Sequence, residues 1–230
     1  MTFISGIRFA IFDVAGTTVI DDGIVVEAFM DAITTFEKRE AVIQDYVRIA
    51  RETMGERKID VFQKMFDDDS KAQGAHELFT QSYLSRVNRG EIIPMPGAES
   101  LFRELRDRNI SIGLNTGFSR EILDSIIVAL DWQRFIDFAI ASSEVQRGRP
   151  APDMLQSLID NFNARAATEI SAKNVIVFGD TTSDVLAGKA AGVALTVGVE
   201  SGAHSRETLI DAGADYVLEH IYDAIKFFEK

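Results

Sequence analysis

Three short apolar runs, each cut off by a polar or glycine-containing turn, constrain this chain more than any other feature. Ile7 to Phe12 runs into Asp13, Ile110 to Leu114 into Asn115-Thr116-Gly117, and Val175 to Phe178 into Gly179-Asp180. Runs this short, rich in Val and Ile and without clean alternation, read as strands covered on both faces, the condition of a parallel sheet. Helical patterns at Ala98 to Arg108 and Arg120 to Leu130 fall between them. Further runs at Phe138 to Ile140, Leu195 to Val199 and Tyr216 to Leu218 extend the sheet. Strands alternating with helices predict an α/β fold built on a parallel sheet.

The stretch from about Asp21 to Ile92 breaks the alternation, being helix-rich, charged and nearly free of strand signals. Pro94-Met95-Pro96-Gly97 supplies the turn at which the chain returns. The expected organisation is a sheet domain over residues 1–19 and 95–230, with a helical insert over 20–94. Within the insert, Asp67-Asp68-Asp69-Ser70 reads as a solvated turn or helix cap. A net charge of -12 repels nucleic acid and anionic membranes, and the absence of Cys removes disulfides, thiolate metal sites and cysteine nucleophiles. Met1 to Ala10 lacks the pattern of a signal peptide, and no apolar run approaches the ~20 residues of a membrane span. A cytoplasmic protein, bound neither to nucleic acid nor to membrane, is expected.

Ligands of open parallel sheets bind beyond the carboxyl ends of the strands, where the polar segments of this chain fall. Phe12-Asp13-Val14-Ala15-Gly16-Thr17-Thr18, Asn115-Thr116-Gly117, Arg147-Gly148-Arg149-Pro150 and Gly179-Asp180-Thr181-Thr182-Ser183-Asp184 could share one crevice. Carboxylates from distant segments suit a hard cation such as Mg²⁺ together with substrate phosphate. Gly16 and Gly117 let backbone N–H groups approach phosphate oxygens, Thr116 adds a hydroxyl, and Arg149 adds a planar fork of donors. The combination reads as phosphoryl transfer with a carboxylate nucleophile.

Taken in order, Asp13-Val14-Ala15-Gly16-Thr17, Thr116-Gly117, Arg149-Pro150 and Gly179 to Asp184 resemble the four motifs of the haloacid dehalogenase superfamily. The resemblance implies a Rossmann-like parallel core with an inserted helical cap domain. It also implies Asp13 as nucleophile, Thr116, Gly117 and Arg149 on the substrate phosphate, and Mg²⁺ held by Asp13, the Ala15 carbonyl, Asp180 and Asp184. The partner is then a small anionic phosphorylated or phosphonate substrate.

Phosphatases of that superfamily carry an Asp two residues after the nucleophile, to protonate the departing alkoxide; here the position is Ala15. A positioned general acid contributes ~10² to 10⁴ in rate, so another device must handle the leaving group. Asp-x-Ala-Gly-Thr resembles the phosphonoacetaldehyde hydrolase branch in particular. Met54-Gly55-Glu56-Arg57-Lys58-Ile59-Asp60 is similar to that branch's cap segment, whose Lys forms a Schiff base with the substrate aldehyde. On a helix over Met54 to Phe66, Lys58 falls at the centre of an apolar arc made by Met54, Val61, Phe62 and Met65. Val61 stands where the branch has His, and Ile24 where it has Cys. His76, His204 and His220 receive no role.

The reading is a Mg²⁺-dependent hydrolase acting through an aspartyl-phosphate, with Lys58 forming an imine to a carbonyl-bearing phosphonate. The alternatives are a phosphatase for a phosphoester or phosphoanhydride with a good leaving group, and a catalytically weak phosphometabolite-binding protein. The same resemblance implies a homodimer.

Overall fold

A computed structural model describes residues 6–228. Met1 to Ser5, which begin the 1–19 segment and carry half of the Met1 to Ala10 stretch read for a signal peptide, lie outside the described residues, as do Glu229 and Lys230. Six parallel strands form one sheet in the order β3-β2-β1-β4-β5-β6. They are β1 (Phe9–Phe12), β2 (Ser111–Thr116), β3 (Phe138–Ala141), β4 (Val175–Gly179), β5 (Leu195–Val199) and β6 (Tyr216–Leu218). Phe9 of β1 is in register with Ser111 on one side and Val175 on the other, so the order reverses at β1 and opens a crevice beyond its end.

The missing alternation in the strand sequences has a direct cause. Ala10 and Phe12 of β1 and Ile176 and Phe178 of β4 join one apolar cluster, while Phe9, Ile11, Val175 and Val177 join another on the opposite face. Met154, Leu155, Leu158 and Ile159 of helix Asp153–Arg165 cover the second face. Helix Ala98–Asp107 covers the first through Leu101, Phe102 and Leu105, and the Phe102 ring meets the Phe12 ring edge-on at 5.4 Å. Both faces are dry, so both sets of alternate residues are apolar.

Four helices lie between β1 and helix Ala98–Asp107: α1 (Ile24–Phe36), α2 (Glu40–Glu52), α3 (Lys58–Met65) and α4 (Asp69–Asn88). Phe29 joins α1 to two of the others, its ring 5.0 Å from Phe62 of α3 and 4.8 Å from Phe79 of α4. The outgoing and returning segments of chain run side by side. Ile20 donates its N–H to the Ile93 carbonyl at 2.9 Å and Met95 to Thr18 at 2.8 Å. Asp68 caps α4 by accepting from the Lys71 N–H at 3.1 Å, as expected of the acidic turn.

The helix expected over Met54 to Phe66 is shorter than the periodicity implies, because α3 begins only at Lys58. Gly55 adopts φ +83° and Arg57 is extended, so Met54 to Arg57 form a turn. A side chain at Gly55 would be strained by that φ and would also press its Cβ to 2.5 Å from Thr181 Oγ1. Within the shorter helix the apolar arc persists: Lys58, Val61, Phe62 and Met65 are its buried residues.

Candidate active site

The crevice at the end of β1 is walled by groups from seven separate stretches of chain. Asp13, immediately after β1, is buried and donates its backbone N–H to the Phe178 carbonyl at 2.9 Å. Asp180 and Asp184 come from the β4 turn and the helix Thr182–Ala191 that follows it. Thr181 caps that helix by accepting from the Asp184 N–H, while the Asp184 carboxylate accepts the Thr181 hydroxyl proton at 2.5 Å. Asp180 accepts from Thr17 Oγ1 at 3.0 Å and from the Ala203 N–H at 2.7 Å. Gly16 at φ +81° closes against it; a Cβ there would lie 2.5 Å from Asp180 Oδ2.

Asp13, Asp180 and Asp184 thus present oxygens within 4.8 Å of one another, all in buried side chains. Burial drives the Asp13 carboxyl up to about 6, against the pull of Arg149 and with a further push from Asp184. Asp180 is raised well above its ordinary value by burial and then by the charges of Asp13 and Asp184. Three carboxylates that resist sharing a buried space suit a hard divalent cation, whose charge offsets their repulsion. The donor set fits in a second respect: Asp13 Oδ1 is buried and receives no hydrogen bond. Its ion-pair neighbour, Arg149 Nη1, lies 2.8 Å away.

Arg149 is itself buried, anchored through Nε to the Gly55 carbonyl at 3.0 Å and paired through Nη1 with Asp184. Those anions hold its charge firmly, above its ordinary range, although burial alone acts the other way. Thr116 ends β2, and its Oγ1 accepts from the Phe118 N–H at 3.3 Å. Gly117 leaves no room for a side chain against the backbone of Glu56, and its carbonyl accepts from the Lys58 N–H at 3.3 Å. The strand end and the start of α3 are thereby joined.

Lys58 is only 4% exposed, which for a lysine needs a reason. Its Nζ donates to the Glu56 carbonyl at 3.3 Å and stands 5.7 Å and 5.6 Å from the ring centres of Phe29 and Phe118. Burial first, and the nearby Arg149 charge second, lower its pKa from 10.5 to about 8. Asp13, Ala15, Lys58, Thr116, Arg149 and Asp180 all line a cavity of about 30 Å³, and Gly117 lines it too. Asp184 stands behind the wall, bonded to Arg149 and Thr181.

A family model described as haloacid dehalogenase-like hydrolase matches residues 7–192. The chain belongs to this family. It is 32% identical over 214 residues to the phosphonoacetaldehyde hydrolase of Bacillus cereus (strain G9842), covering 85% of this chain and 76% of that protein. Among solved structures it resembles a phosphonoacetaldehyde hydrolase-like protein from Oleispira antarctica, with a TM-score of 0.80 at 23% identity over 99% of this chain and 94% of that one. It likewise resembles a hydrolase from Pseudomonas syringae, with a TM-score of 0.81 at 22% identity over 95% and 96% of the two chains. These last two likenesses concern the fold.

The site of this haloacid dehalogenase-like hydrolase also contains groups that its motifs do not announce. Asp21 lines the cavity beside Lys58, and the Phe29 and Phe118 rings flank the amine. Ser142 Oγ donates to the Gly117 and Phe118 carbonyls at 2.9 and 3.1 Å, fixing the turn after β2. The segment after β5 holds the cluster from the other side: Ser201 Oγ donates to the Gly16 carbonyl at 2.7 Å, next to the Ala203 bond to Asp180. Its place at the carboxyl end of a parallel strand was the available signal. His204 Nδ1 accepts from the Thr182 N–H at 2.9 Å, a positional duty that its isolation in the sequence did not suggest.

Proposed function

We propose that this hydrolase cleaves the C–P bond of a small carbonyl-bearing phosphonate, phosphonoacetaldehyde or a close relative, using an imine on Lys58 and a phosphoryl group carried by Asp13. One observation carries the reading. A buried amine of lowered pKa and a buried carboxylate line the same small cavity, and Ala15 offers only a methyl group where an alkoxide would need an acid.

With its pKa near 8, Lys58 supplies free amine close to neutral pH to attack the carbonyl carbon. Loss of water leaves a protonated imine, an electron sink beside the C–P bond. Asp13 attacks phosphorus in line; the C–P bond breaks and its electron pair moves into the imine to give an enamine, so no alkoxide forms. Thr116, Gly117 and Arg149 hold the phosphoryl oxygens, with Arg149 oriented through its Gly55 anchor. Water then releases phosphate from Asp13, and protonation and hydrolysis of the enamine free the aldehyde from Lys58. Asp13, Asp180, Asp184 and the Ala15 carbonyl would hold Mg²⁺, which when bound offsets the charge gathered around the phosphoryl group.

Residues 20–94 act in this reading as a cap. A cavity of about 30 Å³ holds little more than a water or two, so substrate enters only when the cap helices swing away from the strand ends. Val25, Met54 and Phe118 then close an apolar wall over the reacting groups and exclude bulk water. The partner is a small anion rather than nucleic acid or membrane, consistent with the net charge of -12. A helix long and apolar enough to cross a membrane is absent among the described residues. A cytoplasmic homodimer completes the proposal, its mass in solution being measurable by light scattering.

The test is phosphate release from phosphonoacetaldehyde, with borohydride added to trap the imine. Wild type should yield a reduced adduct on Lys58, while Lys58→Ala and Asp13→Ala should release no phosphate. A wild-type rate in Lys58→Ala would sink the imine step. Val61, fully buried where the resembled segment has His, favours a second reading as a phosphatase for esters or anhydrides with good leaving groups. Activity confined to such substrates would establish that alternative.

A further inference from the structure

Imine formation needs protons moved on and off nitrogen and oxygen, and the position at which the resembled segment supplies a His is the fully buried Val61. Lys58 Nζ itself donates only to the Glu56 carbonyl, an acceptor that can relay no proton. The cavity wall therefore has to supply another group. Among the described residues, the carboxylates lining it are Asp13, Asp21 and Asp180. Asp13 faces Arg149, and Asp180 is held by Thr17 and Ala203. Both belong to the carboxylate cluster, whereas Asp21 stands outside it. The Thr181 hydroxyl is committed to Asp184, and neither His76 nor Tyr83 lines the cavity.

We infer that Asp21 is the acid–base group that carries protons during imine formation at Lys58, an assignment that rests on the imine reading above. Its side chain is positioned for the task, since the Val25 N–H at the start of α1 holds Oδ1 at 3.0 Å and the residue lines the cavity together with the amine. Partial burial raises the affinity of the carboxylate for a proton, and the Lys58 charge tempers it. This makes Asp21 a better base than an exposed carboxylate.

The proton sequence closes on itself. Asp21 takes a proton from the Lys58 ammonium, and the free amine forms a C–N bond to the carbonyl carbon while the C=O electron pair moves to oxygen. Asp21 returns its proton to that oxygen and then removes one from the new C–N nitrogen. Finally it protonates the hydroxyl, which departs as water as the nitrogen lone pair forms C=N. Ammonium and aldehyde have become protonated imine and water, and Asp21 is again a carboxylate.

Asp21→Asn retains an oxygen to accept the Val25 N–H, so it removes the acid–base function with little effect on the helix start. The rate of borohydride-trapped adduct on Lys58 with phosphonoacetaldehyde should fall ~10² to 10⁴-fold in this variant. Urea denaturation checks that it remains folded. In Asp21→Ala, added formate should restore trapping in proportion to its concentration, which a purely structural role would not produce. Trapping at the wild-type rate in Asp21→Asn, or slow trapping in Asp21→Ala that formate leaves unchanged, overturns the assignment. Absence of any trapped adduct in wild type overturns the imine reading instead, and the assignment with it.

Discussion

Replacing Lys58 by Met should make the protein more stable and inactive at once. The lysine is held at 4% exposure against two aromatic rings with a single hydrogen bond, and its pKa falls from 10.5 to about 8. That drop corresponds to about 3 kcal/mol against the charged amine. The sign follows from proton counts. Between pH 8 and 10.5 the unfolded chain binds the proton more than the folded chain does, so stability rises with pH across this window. Below pH 8 both states are protonated and the full penalty stands. Methionine fills a similar volume without charge, so Lys58→Met should gain up to about 3 kcal/mol at pH 7. That figure is already net of the attraction of Asp13 and Asp21, which act against the burial. Converted at 2–4 °C per kcal/mol for a chain of this size, the melting temperature rises by up to roughly 10 °C. Urea denaturation of both proteins at pH 7, 8.5 and 10 provides the assay, with attention to the midpoint at constant slope. The gap should narrow steadily with pH. A Lys58→Met protein less stable than wild type at pH 7, or a gap indifferent to pH, would refute the argument that burial has weakened the base.

The carboxylate cluster makes its own predictions. Mg²⁺ at about one hundred times its dissociation constant should stabilise the fold by ~2.7 kcal/mol, seen as a rise in melting temperature that Asp180→Asn with Asp184→Asn abolishes. Since burial raises Asp13 to about 6, the Mg²⁺-induced rise should fade as pH falls through that value, where protons compete for the same oxygen. Gly16→Ala should cost at least ~1 kcal/mol in urea denaturation and slow phosphate release, because φ +81° and an Asp180 oxygen 2.5 Å from the new Cβ both oppose it. Unchanged stability in that variant would mean the turn tolerates a shift that its geometry argues against.

The strands and core helices were legible because their signals are local. Tyr216 to Leu218 and Leu195 to Val199 coincide with β6 and β5, and each of the other apolar runs overlaps a strand to within two residues at either end. The cavity-lining motif residues were legible for a related reason: a parallel sheet sends every strand end to the same edge, so residues distant in sequence meet without further instruction. The start of α3 was not legible from periodicity, since an apolar arc continues through Met54 while the backbone at Gly55 does not. Asp21 was equally hidden. Nothing in its neighbours separates it from Asp22, and only the folded chain places one of the pair in the cavity wall that it shares with Lys58. Ser142 and Ala203 act through one or two hydrogen bonds across the strand ends, a kind of contact that leaves no pattern along the chain.

The register of β1 carries a consequence for the order in which this protein can assemble during synthesis. The strand leading to Asp13 emerges before every other strand of the sheet, yet its neighbours are Ser111 to Leu114 on one flank and Val175 to Phe178 on the other. In the meantime α1, α3 and α4 can find one another, since Phe29, Phe62 and Phe79 are all made before either neighbour of β1. Asp13 is thus synthesised before both neighbours of its strand and completed only after them. Until Gly179 and Asp180 have left the ribosome, Asp13 has neither a finished sheet beneath it nor a second carboxylate beside it, and a partly made chain carries no assembled catalytic centre.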